Sequence, residues 1–422
     1  MPSRTSTDVK RPPISRQGER AEIVIVGGGS AGLATTASLL VREPGLDILV
    51  IEPRQEHFYQ PGWTMVGGGV FGRDATCRAE QDVIPKGVKW VRGAVRSFEP
   101  ALDQVTLEDG STIGYHYLVV APGIALNWAG IKGLPETLGK NGVTSNYSFD
   151  TAPYTWQLVQ EFKNGVALFT QPAMPIKCAG APQKAMYLSC DHWRREGVLS
   201  QIEVTFHNAG GVLFGVPDYV PALMSYVERY GVHLAFESTL VAVDGPARQA
   251  TFKEKSGEVT KRFDMLHVTP PQRAPEFLAV SPLANESGYA DLDQETLQHV
   301  RFANIFGLGD GGSTPNAKTM AAARKQAPIV AENLLSVRAG KPPLAVYDGY
   351  GSCPLTVERG KIVLAEFGYG GKLLPSFPKW LIDGQKPQRL SWWLKSEALP
   401  QVYWHGMLKG REWLAHPQHR EA

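Results

Sequence analysis

Residues 21–26, Ala-Glu-Ile-Val-Ile-Val, form a nearly continuous apolar run. Such a run is the mark of a strand buried on both faces of a parallel sheet. A glycine-rich stretch follows, then a helical pattern over residues 33–42 and a second apolar run over 47–51. The strand-then-turn pattern returns at 117–123 (YLVVAPG), 165–170 (GVALFT), 202–206 and 302–310 (FANIFGLGD), and residues 316–338 read as a long helix. Strands alternating with helices predict an α/β chain with parallel sheets.

The C-terminal part has a different texture. Trp380, Trp392, Trp393, Trp404 and Trp413 lie within the last 43 residues, interleaved with Lys379, Lys386, Arg389, Lys395, Lys409 and Arg411. Leu399, Tyr403 and Met407 recur at i, i+4 and i+8 and share a helix face. Aromatic and basic residues along an apolar helix suit the bilayer interface; a core-packing or dimer-forming tail is the alternative. No run of 18 apolar residues occurs, so no segment is expected to span a bilayer.

Composition narrows the reading. The chain has 422 residues, enough for two or three domains. A net charge of +2 gives no general attraction to nucleic acid. Four cysteines, Cys77, Cys178, Cys190 and Cys353, form no CxxC pair, so no metal site is expected. Residues 1–20 are basic, contain prolines and lack an apolar core; they read as a disordered tail, with a mitochondrial presequence as the alternative.

The first turn carries chemistry. Gly27-Gly28-Gly29-Ser30-Ala31-Gly32 fits GxGxxG between a strand and a helix, and Glu52 closes the next strand 20 residues after Gly32. Gly27 allows the tight turn, Gly29 admits a pyrophosphate, Gly32 lets helix and strand pack, and Glu52 is in register for a ribose hydroxyl. Ser30 and Ala31 sit at the helix N-terminus, where backbone N–H groups attract phosphate. The runs ending in Gly123 and in Asp310 match the layout of flavoproteins with two dinucleotide-binding folds. One FAD fold is therefore expected, interrupted by an insertion. Lys318 and Thr319 fall in the expected first turn of helix 316–338, where a helix N-terminus stabilises a reduced, anionic flavin.

The insertion looks like a second Rossmann-type fold that has lost its nucleotide. After residues 165–170 the loop 171–182 contains Pro172, Pro175 and Pro182 and no GxGxxG. Prolines remove the N–H donors that a pyrophosphate needs. The strand 202–206 ends in His207-Asn208 rather than an acid. A nicotinamide dinucleotide has no evident seat, and Cys178 occupies the loop that would approach the flavin.

With these features the chain resembles the sulfide:quinone oxidoreductases from about residue 22 to about residue 410. The matching motifs include His57-Phe58-Tyr59-Gln60-Pro61-Gly62-Trp63-Thr64, Lys177-Cys178-Ala179-Gly180-Ala181-Pro182-Gln183-Lys184, His267-Val268-Thr269-Pro270-Pro271, and Ser352-Cys353-Pro354-Leu355. Ala-Pro-Gly replaces the usual Ala-Thr-Gly before Gly123, and the third cysteine of some members is absent. The resemblance implies a redox bridge between Cys178 and Cys353 beside FAD. Cys178 would be the thiolate facing the flavin and Cys353 the persulfide carrier, with Lys177 and Lys184 as neighbours able to favour a thiolate. Cys77 and Cys190 match no functional position.

The implied partners are sulfide, a membrane quinone, a sulfur acceptor such as glutathione or sulfite, and a membrane surface, with no nucleic acid. The quinone pocket is expected against Phe367, Tyr369 and Tyr403. The implied setting is peripheral on a bacterial plasma membrane or a mitochondrial inner membrane. The expected architecture is α/β: an FAD-binding domain over 21–142 and 280–345, a second Rossmann-like domain over 143–279, and a membrane-associating region over 346–422. The rival readings are an NADH:quinone oxidoreductase, a cytochrome-linked sulfide dehydrogenase, and a non-catalytic flavoprotein sensor that docks on membranes.

Overall fold

The computed structural model describes residues 18–420. Residues 1–17 of the expected tail lie outside the described residues. Glu19 and Arg20 already belong to the first strand, Glu19–Val26. The strand starts early because its parallel neighbour, Thr112–Val120, reaches far enough to pair Ile113 with Glu19.

Among the described residues, the first fold is built on a seven-stranded sheet. Its order runs Lys89–Val91, Ile48–Ile51, Glu19–Val26, Thr112–Val120, Gln104–Leu107 and Val95–Glu99. Ile305–Gly307 also pairs in parallel with Thr112–Val120, although about 190 positions of chain separate the two. Three apolar runs far apart in sequence thus become neighbours. The turns after Val26, Val120 and Gly307 gather at one end of the sheet, outside the carboxyl ends of its strands, where such sheets bind ligands.

The insertion forms a second sheet in the order Val143–Thr144, Met265–His267, Gly165–Gln171, Ile202–Asn208 and His233–Phe236, all parallel. Helix Ala181–Arg195 covers it.

Among the described residues, 346–420 do not form a layer of their own. The hairpin Gly351–Glu358 and Lys361–Phe367 adds Cys353, Leu355, Val357, Val363 and Ala365 to the core of the second fold, beside Phe169, Tyr187 and Trp193. The segment after it returns to the first fold. Tyr403, Trp404, Met407 and Leu408 pack with Leu33 and Leu39 of helix Ser30–Arg42. Glu412 then accepts from both guanidinium nitrogens of Arg42, at 2.5 and 3.0 Å, and from Ser38 Oγ at 2.6 Å. Among the described residues no helix is long and apolar enough to cross a membrane, and no cluster of side chains could hold a metal ion.

Candidate active site

A cavity of about 1220 Å³ runs from the glycine turn to the C-terminal helices. Small-molecule pockets usually hold about 300–1,000 Å³, so this one has room for a dinucleotide and a further ligand. Gly27 adopts φ +104°, and a Cβ there would lie 2.3 Å from the Ala121 carbonyl oxygen. Gly29 is the opposite case: a Cβ would meet nothing within 4 Å, because the space is open cavity. That open cradle beside the N-terminus of helix Ser30–Arg42 fits a pyrophosphate. Ser30, Ala31, Glu52, Gly123 and Asp310 also line the cavity, while Gly32 packs behind it. Glu52 is fixed by two backbone amides, Gly28 N–H at 2.9 Å and Arg54 N–H at 2.9 Å. Burial pushes the Asp310 carboxyl upward, with Lys318 opposing the shift.

Lys318 and Thr319 lie just before the helix rather than in its first turn. The helix begins at Met320, and Thr319 is its N-cap, its hydroxyl accepting from Ala322 N–H at 3.1 Å. Lys318 donates to the Asp310 and Gly312 carbonyls at 2.9 and 2.8 Å and sits over the Tyr289 ring. Burial lowers its ammonium to about 8. Both residues line the cavity, but they spend their polar groups on holding the turn.

The two cysteines meet. Cys178 Sγ lies 3.6 Å from Cys353 Sγ, although 175 positions separate them. Cys178 holds a left-handed backbone, φ +50°, in the loop before helix Ala181–Arg195. Three contacts steady that loop: Cys178 N–H donates to the Lys318 carbonyl at 2.7 Å, and Tyr147 Oη donates to the Lys177 and Cys178 carbonyls at 3.1 and 3.4 Å. Gly180 makes room for the partner, since a Cβ there would stand 2.5 Å from Leu355 Cδ2 and 3.3 Å from Cys353 Sγ.

The electrostatics are asymmetric. The hydrogen bond from Cys353, joined by Lys184 against the opposition of burial, holds the Cys178 thiol well below the usual range. The same hydrogen bond and burial push Cys353 well above it. Lys184 Nζ is 3.1 Å from Cys178 Sγ and buried. Lys177 turns away, donating to Gln60 Oε1 at 2.6 Å and facing the Trp63 and Tyr147 rings.

The sequence reading missed one cation here. Lys395, expected at the membrane interface, is only 3 % exposed and turns inward toward the cysteine pair. Burial and the nearby Lys184 lower its ammonium to about 7. It lies in the π-helical stretch Leu394–Ala398, a widened turn that the i, i+4 pattern does not reveal. Cys190 is buried in the second core, and Cys77 begins the short strand Cys77–Ala79 that pairs with Glu56–Phe58.

None of the three expected quinone-pocket residues lines the cavity. Phe367 packs on the second core. The Tyr369 hydroxyl donates to the Gln294 carbonyl at 2.6 Å. Tyr403 is 0 % exposed among Tyr59, Trp404 and His57. Tyr403 and Met407 of this helix face pack into the protein core. The cavity wall on this side is Phe377, Leu394, Leu399, Val402, Trp413 and Leu414. Trp413 and Leu414 are also exposed, so the cavity reaches the surface there.

Residues 21–158 match the pyridine nucleotide-disulphide oxidoreductase family. The mitochondrial sulfide:quinone oxidoreductase of Dictyostelium discoideum is 43% identical over 394 residues, covering 92% of this chain and 86% of the relative. The mitochondrial sulfide:quinone oxidoreductase of Mus musculus is 38% identical over 392 residues, covering 92% and 86%. The crystal structure of the enzyme from Aquifex aeolicus superposes with a TM-score of 0.77 over 94% of this chain and 92% of that one, at 18% identity, and shares the fold.

Proposed function

This chain belongs to the sulfide:quinone oxidoreductase family, and on that premise we propose that Cys178 and Cys353 take the electrons of sulfide and that FAD fills the glycine cradle. Quinone enters from a membrane surface at the exposed tryptophans. The observation that carries this reading is the 3.6 Å approach of Cys353 Sγ to the sulfur of Cys178, a residue that lines the cavity.

In the bridged state, hydrosulfide attacks the sulfur of Cys353. The new S–S bond forms there, the bond to Cys178 breaks, and Cys178 leaves as a thiolate. Lys184 stabilises that leaving thiolate at 3.1 Å. Two successive S–S bonds of about 2.05 Å each reach at most about 4.1 Å, so the observed gap also admits a bridge with one extra sulfur. Bound FAD supplies a two-electron acceptor beside Cys178. Removal of the sulfane sulfur from Cys353 by a soft nucleophile such as glutathione or sulfite leaves two cysteine thiolates, and re-forming their bridge would release the two electrons that bound FAD accepts. Net, hydrogen sulfide and quinone give one sulfane sulfur and quinol.

The exposed apolar set supports membrane docking. Trp380 is 84 % exposed, Trp393 56 % and Trp413 52 %, with Leu390 and Leu414 among them. Exposed tryptophans and leucines of this kind are suited to the headgroup region. The mitochondrial relatives make the inner mitochondrial membrane the favoured location.

Anaerobic sulfide added to the purified yellow protein will bleach the flavin, and a soluble quinone will restore it. Equal bleaching by NADH would instead favour the nicotinamide-linked reading.

A further inference from the structure

The motif beginning at His57 takes no part in the sulfur chemistry, yet it stands in a buried hydrogen-bonded chain that ends at the cradle. Glu80 Oε2 is 3.1 Å from His57 Nδ1, His57 Nε2 is 2.5 Å from Tyr403 Oη, and Tyr403 Oη is 2.7 Å from Ser30 Oγ. Glu80, His57 and Tyr403 are each at most 2 % exposed. Ser30 opens onto the cavity at the first position of helix Ser30–Arg42. Three residues, Glu80, His57 and Tyr403, are therefore joined to the one hydroxyl of Ser30 at the cavity.

We propose that Glu80, His57 and Tyr403 are positioning residues that fix the direction of the Ser30 hydroxyl, so that it donates its proton to the dinucleotide pyrophosphate. Each hydroxyl has one proton to give. With one extra proton shared by the Glu80–His57 pair, His57 donates from Nε2 to Tyr403, and Tyr403 donates to Ser30. The Ser30 proton is then free for an anionic oxygen. Without that extra proton the chain reverses, Ser30 spends its proton on Tyr403, and its lone pairs face the phosphate.

The surroundings favour the first state. Glu80 Oε1 is buried without a partner, a costly arrangement for an ionised carboxylate. Burial raises this carboxyl, and the nearby Glu52 adds to the shift while His57 opposes it. Arg78 is occupied over the Trp404 ring at 4.2 Å.

The inference rests on the FAD reading, and the test separates the two. FAD release from the full-length holoenzyme is followed by flavin fluorescence after dilution. Tyr403→Phe keeps the ring and should speed release about tenfold, the scale of one hydrogen bond to a charged group. Ser30→Ala should do the same, and the double variant should be no faster than either single one, because Tyr403 acts through Ser30. Glu80→Gln, whose amide donates to His57 as the protonated acid does, should release FAD at the wild-type rate. Additive effects of the two single changes, or a Glu80→Gln protein as leaky as Tyr403→Phe, would overturn the proposal. Wild-type protein isolated with no FAD would overturn the cofactor reading itself.

Discussion

The two parallel-sheet folds of this chain finish their first strands in opposite ways. After Val26 the backbone turns through glycines, leaves an open cradle at Gly29, and enters a helix whose N–H groups face the cavity. After Gln171 it runs through prolines into a left-handed Cys178, and the helix begins only at Ala181. The next strands diverge as well. Glu52 presents a carboxylate held by backbone amides, whereas Asn208 bonds within its own loop, to Gly210 N–H and the Val212 carbonyl. His207 is buried against Phe252, and burial holds it neutral by lowering it to about 3. One scaffold therefore serves two purposes. On the proposed reading, the turn after the first strand decides whether the sheet end holds a dinucleotide or aims a thiol.

The largest expected effect removes the thiol from the second fold and leaves the first untouched. Cys178→Ser or Cys353→Ser should lower sulfide-dependent quinone reduction by ~10³-fold or more, the scale for losing one member of a catalytic unit. Flavin content, read from the visible spectrum, should stay at wild-type level. The converse change, Gly29→Val, fills the cradle with a side chain that meets no protein. The chain should fold, by circular dichroism, but bind FAD at least ~100-fold more weakly. If Gly29→Val kept its flavin while a cysteine variant lost it, the division of labour would be wrong.

The donor sharpens the contrast. Stopped-flow reduction of the flavin by sulfide should be at least ~100-fold faster than by NADH, about 2.7 kcal/mol in barrier, because the second turn offers no amide cradle. A smaller effect concerns Lys184. Its charge helps keep Cys178 ionised, so Lys184→Met should raise the Cys178 thiol while the hydrogen bond from Cys353 remains. On the proposed mechanism activity needs the thiolate and falls as pH drops through that value. The acid limb of the rate–pH profile should therefore move to higher pH. The smallest effect is expected from Trp393→Ser with Trp413→Ser, which should weaken liposome sedimentation several-fold and leave flavin bleaching by sulfide unchanged.

Much of the first fold was legible, because glycine spacing, a buried strand and an acid in register leave few alternatives. The proline-containing loop was legible by what it lacks. Residues 389–409 were harder. A face built from Leu399, Tyr403 and Met407 records that a helix is amphipathic, but a bilayer and a protein core are equally apolar partners. Here Tyr403 and Met407 face the core, and the exposed aromatics are those outside the repeat. Lys395 escaped for a related reason. A lysine is ordinarily solvated, and only the fold shows the thiolate site toward which it turns. The hairpin around Cys353 also gives no local sign that it completes the core of a fold begun near residue 143.

That shared core has a consequence for biosynthesis. A ribosome adding ~5–20 residues per second needs roughly 10–35 s to travel the 175 positions from Cys178 to Cys353. Throughout that interval the nascent second fold lacks Leu355, Val357, Val363 and Ala365, so the apolar faces of Phe169, Tyr187 and Trp193 await their cover. A message truncated before codon 351 would yield a chain with this gap permanently open, a substrate for chaperones and proteases rather than a slow enzyme.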